Sequence, residues 1–361
     1  MMSDELKLFA KMFLVFVMLI TVLLYLFAII LGPALFYFTP EGLIASTAHV
    51  SPLRVWFLNI PVTVPIGADV GALFLGLWSI FALSFVAAWK LRENFHQTIK
   101  ESVVQPARKL FSSCLFAMPI LNSMTLIGVM MINSFQEAGG IPTGAPPLPG
   151  APFLDFFDLS YSVVVEEVGF RLIPIGAFLV VYFFATKRGT ATFSLSQKVK
   201  LFFTALLFPD SAKRMVGAKT VNEYGVRGGI SLGEWGMLIF TSLVFGLSHF
   251  DPGVSWEIGK VSSAAFAGFV LGLSYLLYGI QASIIMHWFF NAYTDCFFLF
   301  SDFHPAAAPF ASATVIFSLV LGILGWTAAA IVGFRKLVNY FEKGGKNSQS
   351  TATSSLPASP Q

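Results

Sequence analysis

The chain has 361 residues, 56% of them hydrophobic and 11% charged, with a mean hydropathy of +0.76. A soluble domain carries roughly 25% charged residues to cover its surface, so a cytosolic enzyme, a DNA-binding protein and a disordered regulator are excluded. A net charge of +3 is too small to indicate a nucleic-acid partner, and Cys114 and Cys296, each inside an apolar run, supply neither a disulfide framework nor a CxxC metal motif.

Apolar runs of about the 20 residues needed to cross a bilayer recur along the chain. They predict an all-α polytopic membrane protein with eight spans, at 12–37, 68–89, 110–135, 161–185, 234–250, 261–278, 282–300 and 310–334. The runs are continuous and do not alternate, which excludes a β-barrel. The first is too long for a signal-peptide core and is followed by no small-residue cleavage site, so it reads as an uncleaved anchor. Residues 1–160 then hold three spans and the Pro/Gly-rich loop 139–152, an irregular spacer or lid. Residues 161–300 form a core carrying a basic insertion (186–233), in which 197–208 predicts an interfacial helix. The last span occupies 301–340, and the Ser/Thr/Pro-rich tail (341–361) is expected to be disordered.

Lys and Arg gather in alternate loops, the bias of cytoplasmic loops in membrane proteins. Lys7 and Lys11 precede the first span, and Lys90, Arg92, Lys100, Arg108 and Lys109 lie between the second and third. Lys187, Arg188, Lys198, Lys200, Lys213, Arg214, Lys219 and Arg227 fill the insertion, while Arg335, Lys336, Lys343 and Lys346 follow the last span. The opposite loops hold Arg54 and Lys260. Both termini are expected in the cytoplasm of a multi-pass protein of the plasma membrane.

Charges inside spanning helices cost at least about 2.5 kcal/mol each and mark candidate sites. Here they are Glu166, Glu167 and Arg171 in span four, joined by His249 at the end of span five and by His287 and Asn291 in span seven. Glu167 and Arg171, four apart, share a helix face and read as a structural ion pair. Glu166, about 100° round the helix, is left as the free carboxylate and candidate general base. His287 and Asn291 also share a face, and with His249 they offer oxyanion donors or ligands for a divalent metal. A proton-coupled transporter using the same groups as a relay is the competing reading. At 1.5 Å per residue, Glu166 and His249 fall within roughly 8 Å of the outer ends of their spans and His287 about 8 Å from the inner end of its own. They meet only if short or broken helices end at mid-membrane around a polar site.

EEVGFR at 166–171, FGLSH at 245–249 and HWFFN at 287–291 match, in order, the EExxxR, FxxxH and HxxxN patterns of a known family. Over about 161–300 the chain resembles the CPBP (CAAX protease and bacteriocin-processing) intramembrane proteases, in their prenyl-CAAX endopeptidase branch. The resemblance implies an endopeptidase in which Glu166 activates water with help from His249, His287 and Asn291 stabilise the oxyanion, and Glu167, Arg171 and Phe245 support them. It implies membrane lipid and a membrane-associated peptide or protein substrate, prenylated in the CAAX branch, as partners. Two chemistries stay open, a metal-free glutamate mechanism and a zinc-dependent one with Glu166, Glu167, His249 and His287 as ligands. A catalytically idle immunity or scaffold relative is the alternative within the family. Leu172 follows Arg171 where many members have Gly, and the long gap before Phe245 is the basic insertion.

Overall fold

The computed structural model describes residues 4–146, 148, 150–186 and 188–353; Lys187 and the end of the tail, 354–361, lie outside the described residues. The first span is α1 (Asp4–Phe38), followed by a short α2 (Pro40–Ser46) that Thr39 caps by accepting the Gly42 amide. Four strands follow, the last at the first two residues of the stretch expected as the second span: β1 (His49–Val50), β2 (Leu53–Phe57), β3 (Ile60–Val64) and β4 (Ala68–Asp69). β2 and β3 form an antiparallel hairpin with Phe57 opposite Ile60, and β1 pairs with β4. After α3 (Val70–Lys90) come α4 (Phe95–Lys100), α5 (Ala107–Leu110) and α6 (Cys114–Ala138).

The fourth span is a composite of α7 (Pro152–Glu167), a π-helical stretch (Val168–Gly176) and α8 (Ala177–Thr186). The insertion folds as α9 (Leu195–Leu207), α10 (Pro209–Met215) and α11 (Val221–Gly229). Then follow α12 (Leu232–Leu247) and α13 (Ile258–Tyr278). α14 (Ile280–Trp288) continues through a second π-helical turn (Phe289–Tyr293) into α15 (Thr294–Phe303), and α16 (Ala308–Thr353) ends the described chain.

All eight apolar segments lie on helices. Among the described residues, 6 helices are long and apolar enough to cross a membrane, or 7 if α11 and α12, bent by 70° at their junction, form one span. The run from α14 to α15 is not among them, because Gln281, His287, Asn291 and Asp295 dilute its hydropathy. α12, with 16 residues, is the short helix the sequence implied.

Two boundaries differ from the sequence reading. α7 begins at Pro152, nine residues before the expected start of its span, because Pro is suited to the first helical position and Asp155 to the positive end of the dipole. The Asp155 carboxylate accepts the Gly150 amide at 3.0 Å. Glu166 therefore sits roughly 21 Å along its helix rather than within 8 Å of the end. At the other terminus, α16 runs on through 347–353, where composition pointed to disorder; an existing helix extends by one hydrogen bond per residue with nucleation already met.

Helix contacts place the site. Tyr25 of α1 lies at ring-centroid distances of 4.9 Å from Tyr293 and 5.8 Å from Trp288, and accepts a 3.1 Å hydrogen bond from Asn122 of α6. Such buried aromatic packing, with polar groups matched between helices, holds bundles together where lipid is as apolar as the core. The insertion is tied to this frame as well. Lys213 is buried against Glu234 at 2.5 Å and donates to the Gly229 carbonyl at 2.7 Å, so it is an internal cation rather than a loop charge. α9 buries Leu201 and Ala205 and exposes Leu195, Val199, Phe202 and Phe203, an amphipathic helix with an apolar outer face. The Pro/Gly-rich loop packs on the start of α13, where Thr143 and Pro142 carbonyls accept the amides of Glu257 and Gly259.

Candidate active site

Four elements converge on one polar cluster. α7 delivers Glu166 and Glu167 in its last turn, and the π-helical stretch that follows carries Arg171. α14 delivers His287, the next π turn carries Asn291, and the end of α12 supplies Phe245 and His249. Both glutamates and His287 stand just before a change from α to π winding, a local irregularity common at functional sites.

Glu167 is the hub. Its Oε1 accepts from Arg171 Nη1 at 2.9 Å and from His287 Nδ1 at 2.7 Å, with the side chains of Glu167 and Arg171 0% and 1% exposed. The i,i+4 ion pair read from the sequence is present, and it has a third member that spacing alone did not reveal. Arg171 also donates to the Gly268 carbonyl at 3.4 Å and lies 4.3 Å from the centroid of Phe245. Gly268 permits this approach, since a Cβ there would stand 2.8 Å from the Phe245 ring.

Because a carboxylate only accepts, His287 donates from Nδ1 to Glu167, and its Nε2 turns toward Glu166. The Glu166 Oε2 to His287 Nε2 distance is 3.6 Å, and the Glu166 side chain is 21% exposed. Among the described residues neither Glu166 Oε2 nor Glu167 Oε2 has a hydrogen-bond partner. The two adjacent carboxylates differ in that Glu167 is fully buried with its Oε1 held by two donors, whereas Glu166 is partly exposed and beside His287 Nε2.

His249 stands just past the end of α12, with Nδ1 2.8 Å from the Phe245 carbonyl and its ring centroid 4.7 Å from that of Phe245. Glu166 is within electrostatic reach of His249. Asn291, on the same face as His287, also meets α7. Its Nδ2 donates to Ser162 Oγ at 2.9 Å and toward the Leu159 carbonyl at 3.4 Å, so the amide braces the π turn against α7.

Of the suggested zinc set, Glu167 is held by Arg171 and His287, while the bonds at Nδ1 of His249 and His287 leave Nε2 of each available; among the described residues no group of three or more His, Cys, Asp or Glu is placed to hold a metal ion.

Sequence reasoning missed Ser162, Gly268 and Lys260. Lys260, in the first turn of α13, is within electrostatic reach of Glu166 and stacks its Nζ 3.9 Å from the Trp256 ring centroid. Its signal was its place on the side that the distribution of Lys and Arg leaves almost bare.

Residues 151–293 match the family model described as Rce1-like, type II CAAX prenyl endopeptidase Rce1-like. That segment belongs to this family. The Rce1-like segment contains every motif residue from Glu166 to Asn291, whereas α1 to α6 and the hairpin lie outside it. No curated protein and no solved structure matches the chain.

Proposed function

We propose that this integral membrane protein is an endopeptidase that cleaves a peptide bond of a membrane-associated, prenylated CAAX-type substrate by glutamate-activated water. The observation that carries the reading is the division between two neighbouring carboxylates. Glu167 is fully buried and held through Oε1 by Arg171 and His287, while the Glu166 carboxylate is 21% exposed and stands 3.6 Å from the imidazole that Glu167 orients.

The chemistry follows from these positions. Glu166 takes a proton from water as the oxygen attacks the scissile carbonyl carbon. The negative charge moves to the carbonyl oxygen, to which His287 or His249 donates from Nε2 when that nitrogen carries a proton, since Nδ1 of each is already engaged. The carbon–nitrogen bond then breaks, and Glu166 returns the proton to the leaving amine. Glu167 and Arg171 fix the orientation of His287, and Asn291 holds the second π turn to α7 through Ser162. The charge distribution supports a cytoplasmic location for both termini, and we place the protein in the plasma membrane on the same reading.

The test compares purified parent and Glu166→Gln protein on prenylated peptides, with new termini read by mass spectrometry. The parent should cleave, and the variant should lose about 10²–10⁴-fold in rate while expressing and melting like the parent. Equal rates in the two proteins refute the assignment. Ion flux in reconstituted vesicles without any peptide product identifies a transporter instead.

A further inference from the structure

The β2–β3 hairpin, outside the Rce1-like segment, reaches the catalytic cluster. The Tyr161 hydroxyl donates to the Arg54 carbonyl at 2.7 Å, and the amide of Leu58, at the hairpin tip, donates to the Gly169 carbonyl at 3.2 Å. Gly169 stands three residues past Glu166 in the first π-helical stretch, and a Cβ there would meet the Trp56 carbonyl oxygen at 2.1 Å. The contact is backbone against backbone.

Leu58 occupies a costly position. It is the first residue of the two-residue Leu58–Asn59 turn and has φ 52°, a region that a bulky residue rarely adopts and that such turns usually give to Gly or Asn. A strained residue at this place points to a use for its side chain. That side chain is partly buried and packs against the apolar cluster of Phe170, Phe245 and Ala264. The Phe245 ring in turn stands 4.7 Å from His249 and 6.1 Å from His287, centroid to centroid, and lies under Arg171.

We infer that Leu58 is a positioning residue, a wedge from the hairpin that seats Phe245 and through it holds both imidazoles in register with Glu166. The N-terminal part of the chain thereby completes a site whose reacting groups all lie in the Rce1-like segment. The kinetic consequence rests on the protease reading; the structural one does not.

Two substitutions test it, with Asn59→Ala as a control in the same turn. Leu58→Gly removes the wedge and suits the positive φ, so the hairpin and its bond to Gly169 are retained; Leu58→Met restores an apolar side chain. In protein labelled with ¹⁵N-histidine, the ring nitrogens of His249 and His287 should shift in Leu58→Gly, stay near the parent in Leu58→Met and Asn59→Ala, and leave His49 and His304 unmoved. In the peptide assay, Leu58→Gly should lower kcat about 10- to 100-fold at nearly constant KM, the scale expected of a small misplacement of reacting groups, with Leu58→Met recovering most of it. Unmoved His249 and His287 resonances in Leu58→Gly overturn the inference, as does an unchanged kcat. A parent that cleaves nothing refutes the protease reading alone, because the resonance comparison stands without activity.

Discussion

Arg171→Ala tests the hub most directly. The guanidinium and the Glu167 carboxylate are 1% and 0% exposed and 2.9 Å apart. At an effective dielectric near 20, two charges about 4 Å apart attract by roughly 4 kcal/mol. Removing one member of a buried pair typically costs about 3–5 kcal/mol, since the other charge stays buried. At the low end of the usual conversion, this lowers the thermal midpoint by roughly 6–10 °C. His287 remains to share the charge of Glu167, so the fold weakens without being lost. The double variant Glu167→Gln/Arg171→Gln removes both charges and keeps an amide oxygen to accept the His287 Nδ1 proton. It should melt several degrees above Arg171→Ala and retain more cleavage than Glu166→Gln. Tryptophan fluorescence during heating in detergent, beside the peptide assay, gives both numbers. If Arg171→Ala is as stable as the parent yet inactive, Arg171 contacts substrate or oxyanion, and the structural role assigned to it fails.

Dialysis against a strong chelator should leave the rate within about twofold, because the site lacks a converging ligand set; activity lost to the chelator and restored by zinc would contradict this. Lys213→Ala should destabilise the protein by about 3–5 kcal/mol through the orphaned Glu234, whereas Lys213→Met with Glu234→Gln should melt well above the single variant. Thermal unfolding of the two proteins decides it, and equal midpoints sink the claim that this pair anchors the insertion.

Much of the site was legible because helical spacing is rigid. Glu167 and Arg171 stand four apart and do pair, and the hydropathy runs locate all eight helical segments. What spacing could not supply was the link between helices: that His287, 120 positions beyond Glu167, bonds the same oxygen as Arg171. His287 and Asn291 do share a face, both meeting α7, but spacing could not show that Ser162 would accept the Asn291 amide there. The difficulty over depth arose from Asp155, Asp158 and Ser160, whose polarity hid the first two turns of α7 and made Glu166 seem terminal. The hairpin did leave a trace, in β-branched and aromatic residues flanking Leu58–Asn59, but its turn lacks the Asn-Gly or Asp-Gly signature.

The two π-helical stretches bear on the length of the chain as well as on its composition. Each lies between a reacting or orienting side chain and the remainder of its span. A π turn takes up about one residue more than an α turn, so a deletion within 168–176 can be absorbed by a return to α winding, whereas the same deletion within α7 or α8 turns everything beyond it by about 100° relative to Glu166. A single-residue deletion scan along the fourth and seventh helical segments should therefore show folding lost in the regular α turns and two narrow windows of relative tolerance, at 168–176 and 289–293. Many point substitutions inside those same windows, such as exchanges among Val168, Ile173 and Ile175, should pass unnoticed.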